Sequence, residues 1–348
     1  MPSFVFRRSV VPIWIAAVFA FFGAPRLFAD LTWTRSTGWQ VEGGSLEGLT
    51  GAKGTTALNL MNRARSDEED GSRVAAISLY ERVARKYVGS VYAPEALFRA
   101  GKLLAERHQY YRAFDDLQRV VRLYPNTKRF DEVIGELYRL SAALLNGARN
   151  RAWGWFPMAR NRTKSLEYFE VILIDAPYSD YAPLALMDIA REFQNDKDTE
   201  EAIDALDRLV NNYPQSVLAP VAYLKLAEMY SSLSDGPQYD QAATKEAMTY
   251  YEDFLILYPG DSAVPQAAGG VDRMKTILAQ SKIYIGDFYF YKRLNYTAAR
   301  VFYNEAITSY PDSPPARVAK KRLAEVAAKV SRATVGPTTA PKKRFWLF

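Results

Sequence analysis

No cysteine occurs in this sequence, and its 348 residues include a single histidine, His108. That excludes thiol nucleophiles, disulfide staples and Cys/His zinc centres, and it leaves a histidine-based triad one residue to draw on. Phosphate-cradling glycine loops and the Gly-x-Ser-x-Gly elbow are missing too, as is an isolated carboxylate pair in an apolar setting. Catalysis would fall to carboxylates, Lys, Tyr or Ser alone, so no catalytic residue, cofactor or small-molecule substrate is expected. An excess of one charge is also lacking. Forty-five Lys and Arg against 39 Asp and Glu give +6, spread along the chain, so nucleic acid is not an expected partner. What is present, 49% hydrophobic and 24% charged residues, is the balance of a folded chain with a large core.

Arg7 and Arg8 precede an apolar run over residues 10–22. Gly23, Ala24 and Pro25 then break the helix, and Leu27-Phe28-Ala29 ends on a small residue before Asp30. Residues 1–29 therefore read as a secretory signal peptide cleaved after Ala29. The run is shorter than the ~20 residues of a membrane-spanning helix. An uncleaved anchor is the other reading, and the Arg7-Arg8 pair lacks the rest of a twin-arginine pattern. Cleavage would remove Arg7, Arg8 and Arg26 and no acid, leaving the exported chain at +3.

Self-similarity organises most of the remaining chain. A small residue, a bulky one four later, an apolar one three after that and an aromatic or Ala four further on recur six times, often before Pro. The copies are Ala76-Tyr80-Val83-Tyr87, Ala113-Leu117-Val120-Tyr124-Pro125, Ser165-Phe169-Ile172-Ala176-Pro177, Ala202-Leu206-Leu209-Tyr213-Pro214, Ala247-Tyr251-Phe254-Tyr258-Pro259 and Ala299-Tyr303-Ala306-Tyr310-Pro311. Offsets of 4, 3 and 4 place each set on one face of a helix. The small residue admits a neighbouring backbone and the bulky one fills the groove beside it, while Pro stops the helix and pushes the residue before it out of the helical region. Ser90, Thr127, Ser179, Ser216, Ser262 and Ser313 are then placed to cap the next helix. Pro94, Pro183, Pro220 and Pro265 fall where a first helical turn tolerates a missing donor.

Successive terminal residues lie 37, 52, 37, 45 and 52 positions apart, and the short spacings lie near the tetratricopeptide period of ~34. Aligned on Ala202, that consensus places Leu186, Ile189, Ala190 and Phe193 on the preceding helix. Aligned on Ala113 it places Leu97, Ala100, Gly101 and Leu104 there. Residues 56–328 are thus expected to form an all-α tetratricopeptide solenoid of about six helix pairs, with a concave surface for peptides or partner helices.

Three units are longer than this period. In the third, the extra residues fall within 147–164, where Arg149, Arg151, Arg160, Arg162 and Lys164 surround Trp153, Trp155, Phe156 and Pro157. Cations interleaved with aromatics suit an anionic or membrane-interface partner, and Arg149, Arg151, Trp153, Trp155, Phe156, Arg160 and Arg162 are the candidate partner-binding residues. The alternative is that the tryptophans fold back on the solenoid as a plug while the arginines face water. The fifth unit adds an exposed turn at Ser234-Asp235-Gly236-Pro237. The sixth adds a long stretch, 264–292, expected to be helical apart from Gly269-Gly270, with the aromatics of 283–291 assigned to packing.

The flanks are less regular. Alternation around Ser36, Thr37 and Gly38 predicts a short hairpin or an extended arm, followed by a Gly-rich linker, so 30–55 is one segment. At the other end, 329–341 is a Pro/Thr linker and 342–348 a basic-aromatic tail. There Lys342, Lys343, Arg344, Phe345, Trp346 and Phe348 are candidates for membrane or partner contact. Three cations at ~1 kcal/mol each do not anchor a protein, so the aromatics would have to contribute. Asp67-Glu68-Glu69-Asp70-Gly71 lacks the alternating ligands and twelfth-place Glu of a calcium loop and reads as a solvated turn between the first two helices. His108 has no metal-binding partner in sequence and reads as a surface turn residue, so no metal site is expected.

Taken together, the signal sequence, the repeats ending Tyr-Pro-x-Ser-x-x-Ala and the closing stretch resemble a known family. That stretch runs from Leu278-Ala279 through Phe288-Tyr289, Lys292-Arg293, Asn295-Tyr296 and Ala298-Ala299 to Tyr310-Pro311-Asp312-Ser313. The chain is similar to the BamD/ComL outer-membrane assembly lipoproteins over roughly 56–328, most specifically in the last two units. The resemblance implies an exported, non-enzymatic periplasmic scaffold at the inner face of the outer membrane. Its partners would be a BamA-like insertase, docked by the C-terminal repeats, and unfolded outer-membrane proteins, met by the N-terminal ones. A generic periplasmic tetratricopeptide adaptor for cell-envelope or peptidoglycan machinery is the alternative. An envelope hydrolase is a third reading, but the solenoid leaves no room for a catalytic domain. One departure matters: the family is lipid-anchored through a cysteine after its signal peptide, and this chain has none. The 147–164 insertion and the 342–348 tail are the candidates for a substitute anchor.

Overall fold

The computed structural model describes residues 30–42 and 52–334, and the signal-peptide and C-terminal-tail expectations fall outside them. The described residues form two compact units, one ending at Glu106 and the other beginning at Arg107.

In the first unit, the segment expected to be a hairpin or an extended arm is an antiparallel hairpin. It consists of β1 (Asp30–Thr34) and β2 (Gly38–Glu42), with Trp33 opposite Trp39. Two strands alone are marginal in water, and here a helix supplies the missing contacts. Trp39 is buried, and its backbone N–H donates to Asn62 Oδ1 of α1 (Ala52–Glu69) at 2.8 Å. After α1 come α2 (Arg73–Lys86) and α3 (Tyr92–Glu106). The acidic run at 67–71 is not simply a solvated turn. Glu68 ends inside a polar knot, taking the Tyr80 hydroxyl at 2.8 Å, Arg65 at 2.8 Å and Arg99 at 3.3 Å. The same two arginines lie over Trp33 and Trp39, at 4.4 and 4.9 Å from the rings.

The second unit holds α4 (Tyr110–Leu123), α5 (Phe130–Leu145), a small hairpin of β3 (Arg151–Ala152) and β4 (Phe156–Pro157), then α6 (Arg162–Asp175), α7 (Tyr181–Asp196), α8 (Thr199–Asn212), α9 (Ala219–Ser232), α10 (Ala242–Leu257), α11 (Val264–Asp287), a π-helical turn (Phe288–Lys292), α12 (Tyr296–Ser309) and α13 (Pro314–Thr334). Each helix packs on the next, as expected of an all-α tetratricopeptide solenoid.

The repeated phrase lands where its spacing predicts, on α2, α4, α6, α8, α10 and α12. In all six copies the small, bulky and apolar residues are buried. The terminal residue of each copy closes its helix in one conformation, with φ between −126° and −143° and ψ between 45° and 59°. Proline is not the sole cause, because Tyr87 precedes Val88 and adopts the same angles. A common hydrogen bond closes the turn instead. The N–H three residues on returns to the terminal carbonyl, from Ser90 to Tyr87 (2.9 Å), Thr127 to Tyr124 (3.0 Å), Ser179 to Ala176 (3.1 Å), Ser216 to Tyr213 (2.9 Å), Asp261 to Tyr258 (3.1 Å) and Ser313 to Tyr310 (3.1 Å).

Two details refine the sequence reading. In the fifth copy the turn position is Asp261, not Ser262. The hydroxyls also work in both directions: those of Ser90 and Ser313 donate back to Tyr87 O and Tyr310 O at 2.6 and 2.7 Å, while Ser313 Oγ accepts the Ala316 N–H at 3.3 Å and Ser216 Oγ the Leu218 N–H at 3.2 Å, toward the next helix as expected. Asn161 and Asn295 are further caps, their side-chain oxygens accepting the Lys164 and Ala298 N–H groups.

The pair Gly269-Gly270 does not interrupt the long helix. A Cβ on Gly270 would sit 2.5 Å from the Tyr251 ring of α10, and one on Gly286 would sit 2.5 Å from the Tyr303 ring of α12. These glycines are tolerated in the helix because they let large tyrosines approach its backbone from two neighbours.

Candidate functional site

The 147–164 insertion begins where α5 ends. Gly147 turns the chain at φ +90°, and Asn150, buried among exposed neighbours, then pins it. Its Oδ1 accepts the Tyr111 N–H at 3.2 Å and its carbonyl accepts the Met158 N–H at 2.8 Å. Arg151 N–H donates to His108 O at 2.8 Å, and the Arg107 guanidinium donates to Trp153 O at 3.2 Å. The hairpin is thereby fastened to the start of α4. His108 is an exposed turn residue, with Nδ1 2.8 Å from the Tyr110 hydroxyl; burial pushes that hydroxyl up in pKa, against the pull of nearby Arg151.

Trp153 and Gly154 both adopt left-handed φ, +54° and +82°. Glycine is favoured there by the left-handed φ, and without a Cβ it also leaves room for the ends of the Arg107 and Gln109 side chains. The turn pushes the tryptophans outward rather than back as a plug. Trp153 and Trp155 are 72% and 70% exposed and stack on each other at 6.1 Å, and the half-exposed Phe156 meets Trp155 edge-on at 5.9 Å. Around this tip Arg149, Arg151 and Arg160 are exposed and have no carboxylate partner among the described residues. Arg162 differs: it pairs with Glu192 at 3.2 Å, as Lys164 does with Glu167 at 2.6 Å. Of the seven candidates, then, three rings form the tip, three exposed arginines flank it along the chain, with the Arg160 guanidinium lying beside Gly147 at the end of α5, and Arg162 is engaged in the solenoid.

A second surface departs from the sequence reading. The aromatic stretch 283–291, expected to pack, splits in two. Ile283 and Phe290 join the core with Ala299, Tyr303 and Val326, whereas Tyr284, Ile285, Phe288, Tyr291 and the following Leu294 are exposed. Arg293 lies over Phe288 at 5.4 Å and Arg322 over Tyr291 at 5.3 Å. Helical spacing of 284 and 288 and the extra residue per turn of the π turn bring these side chains out together, a signal that composition alone does not carry. A third feature is an open cleft of about 1010 Å³ between the α6–α7 and α8–α9 turns. Pro177, Tyr178, Pro183, Tyr213, Pro214 and Val217 line it beside Arg208 and Asn211. Among the described residues no cluster of His, Asp and Glu could hold a metal, and no helix is long and apolar enough to cross a membrane.

Comparison with known proteins bears on the larger part of the second unit. Residues 159–336, just over half of the chain, match the YfiO family, described as outer membrane lipoprotein. The chain belongs to the YfiO family. Residues 95–127 of this family member also match a tetratricopeptide repeat model. The outer membrane protein assembly factor BamD of Rickettsia prowazekii (strain Madrid E) is 28% identical over 163 residues, 47% of this chain and 64% of that relative. The protein of the same name from Caulobacter vibrioides is 27% identical over 130 residues, 37% and 42% of the two. The chain thus spans less than two thirds of the length of either relative. Among solved structures, MamA from Desulfovibrio magneticus RS-1 is 20% identical with a TM-score of 0.30, covering 62% of this chain and 99% of that one. A tetratricopeptide repeat protein from Parabacteroides merdae is 14% identical with a TM-score of 0.31, covering 78% and 99%. The family match and the repeat match both fall on the helical part of the chain described above.

Proposed function

We propose that the protein is a scaffold of outer-membrane β-barrel assembly on the periplasmic face, docking the periplasmic domain of a BamA-like insertase and holding segments of unfolded barrel proteins. The observation that carries this reading is the exposed aromatic surface of Tyr284, Phe288 and Tyr291 within the family-matched residues. Large rings flanked by arginines are the usual anchors of a protein interface, whereas core-facing rings would be covered. The cleft between the α6–α7 and α8–α9 turns, with Tyr178 and Val217 almost fully exposed at its rim, suits an extended apolar segment.

A pull-down with the insertase periplasmic domain tests the reading. Phe288→Asp with Tyr291→Asp should weaken capture at least about tenfold while leaving helicity intact. Equal capture by the variant would remove that surface from the interface, and no capture by the native chain would remove the partner. A second reading, an adaptor for other cell-envelope or peptidoglycan machinery, is favoured by the lack of cysteine in a family described as lipoproteins. Capture of cell-wall enzymes in place of the insertase would support it.

A further inference from the structure

The hairpin of residues 151–157 lies outside the family-matched stretch, and the docking surface above makes no use of it. Its chemistry is unlike the rest of the second unit. No acid occurs between residues 147 and 166, a span that contains five cations. Three of these, Arg149, Arg151 and Arg160, have no carboxylate partner among the described residues, and between them projects a stacked pair of tryptophans with Phe156 against its edge. Elsewhere in the unit, exposed arginines such as Arg191 and Arg139 are paired with acids on their own helices.

We propose that this hairpin is a membrane-docking finger. It seats the Trp153–Trp155–Phe156 tip at the headgroup boundary of an anionic phospholipid leaflet, with Arg149, Arg151 and Arg160 on the lipid phosphates. Chemical complementarity favours a bilayer, and the build of the finger suits docking. Tryptophan has an amphipathic ring suited to the headgroup level, and arginine has a fork that matches phosphate oxygens. The finger is pre-built, since Asn150, Arg107 and the His108 carbonyl hold its backbone, so docking does not have to order a loop. Finally, residues 159–336, which begin directly after the hairpin, match a family described as outer membrane lipoprotein, a description that puts its members at a membrane. Aromatic burial and basic charge acting together are the two signals that reversible membrane attachment requires.

The test is co-flotation of the full chain with vesicles of phosphatidylcholine, with and without phosphatidylglycerol. The native chain should float with the mixed vesicles and not with phosphatidylcholine alone. Trp153→Asn with Trp155→Ser should reduce binding at least about tenfold, Asn being chosen because it accepts the left-handed φ. Replacing Arg149, Arg151 and Arg160 by Gln should cost roughly fivefold per arginine at low salt. The substituted side chains are solvent-exposed, so unchanged circular dichroism of the variants keeps folding out of the comparison. Three results overturn the proposal: no vesicle binding by the native chain, binding that ignores phosphatidylglycerol, or binding undiminished in the tryptophan variant. That last result would move the contact to another segment such as the 342–348 tail. A hairpin-dependent complex with an envelope protein in the absence of vesicle binding would likewise overturn it, in favour of a protein occupant. The insertase pull-down is unaffected by any of these results.

Discussion

Tyrosine is the residue on which the solenoid most depends, and it works at both ends of its side chain. The ring of Tyr303 presses on the Gly286 backbone while its hydroxyl reaches Asp287 Oδ1 at 2.6 Å; Tyr138 and Asp188 are joined similarly at 2.7 Å. In Tyr303 and Tyr138 burial, followed by the bonded carboxylate, pushes the hydroxyl pKa far above the ordinary phenol range, so both remain donors at any physiological pH. Tyr303→Phe should therefore cost about 1.5 kcal/mol, read as a shift in the urea midpoint, because a charged acceptor loses a hydrogen bond and keeps only the Arg322 guanidinium at 3.2 Å. Gly286→Ala should cost about 1–3 kcal/mol in the same assay, since its Cβ would collide with that ring. Asp207 in turn accepts from the Tyr250 hydroxyl. Burial raises its pKa and the Tyr250 hydroxyl only partly lowers it. A raised folded-state value means that its stabilising contribution is complete below the unfolded carboxylate value of ~3.9 and is lost as pH rises through the folded one. Asp207→Asn should flatten the unfolding midpoint against pH over that weakly acidic window, and an unchanged profile would count against the assignment.

Between residues and the whole molecule stands the helix pair, and most of what defines it is legible in spacing alone. A period that sets small, bulky and apolar residues at offsets of 4, 3 and 4 is a direct projection of helical geometry, so the sequence itself marks the buried faces of α2, α4, α6, α8, α10 and α12. The ties between pairs carry no such mark. Arg208 grips Glu170 of α6 with two bonds at 2.8 and 2.9 Å, and Arg122 reaches Asp175 at 3.0 Å. Such partners lie several turns apart in the sequence, with nothing periodic to announce them. The candidate site divides in the same way. The basic-aromatic insertion stands out by composition, but its outward direction depends on Asn150, Arg107 and two left-handed residues, which a one-dimensional pattern does not encode. In the aromatic stretch before α12, composition suggests packing for every ring, but consecutive residues of a helix or π turn point to different sides, so part of the stretch faces out. Asn150→Ala should loosen the finger alone. The amides of Tyr111 and Met158 should exchange roughly tenfold or more faster, for the loss of about 1–3 kcal/mol, while the amides of α7 and α8 stay protected.

At the scale of the whole chain, stacked pairs distribute stability by neighbourhood rather than through one central core. Damage should therefore stay local. With Tyr303→Phe, hydrogen exchange is expected to quicken in α11, α12 and α13 and to remain unchanged in α6 and α7; uniform acceleration through the second unit would show that it unfolds as a single cooperative block. A scaffold built this way can carry an insertion on one pair without loss of the others, which is how a rigid hairpin outside the family-matched residues is accommodated.

The placement of the indole rings has a practical result. Trp39 is sealed against α1 and Trp33 lies beneath Arg65, whereas Trp153 and Trp155 stand in open solvent. Among the four tryptophans of the described residues, an aqueous collisional quencher will therefore extinguish the emission of the hairpin pair first and reach the bluer emission of the first-unit pair last, so the hairpin carries an optical reporter without any added dye.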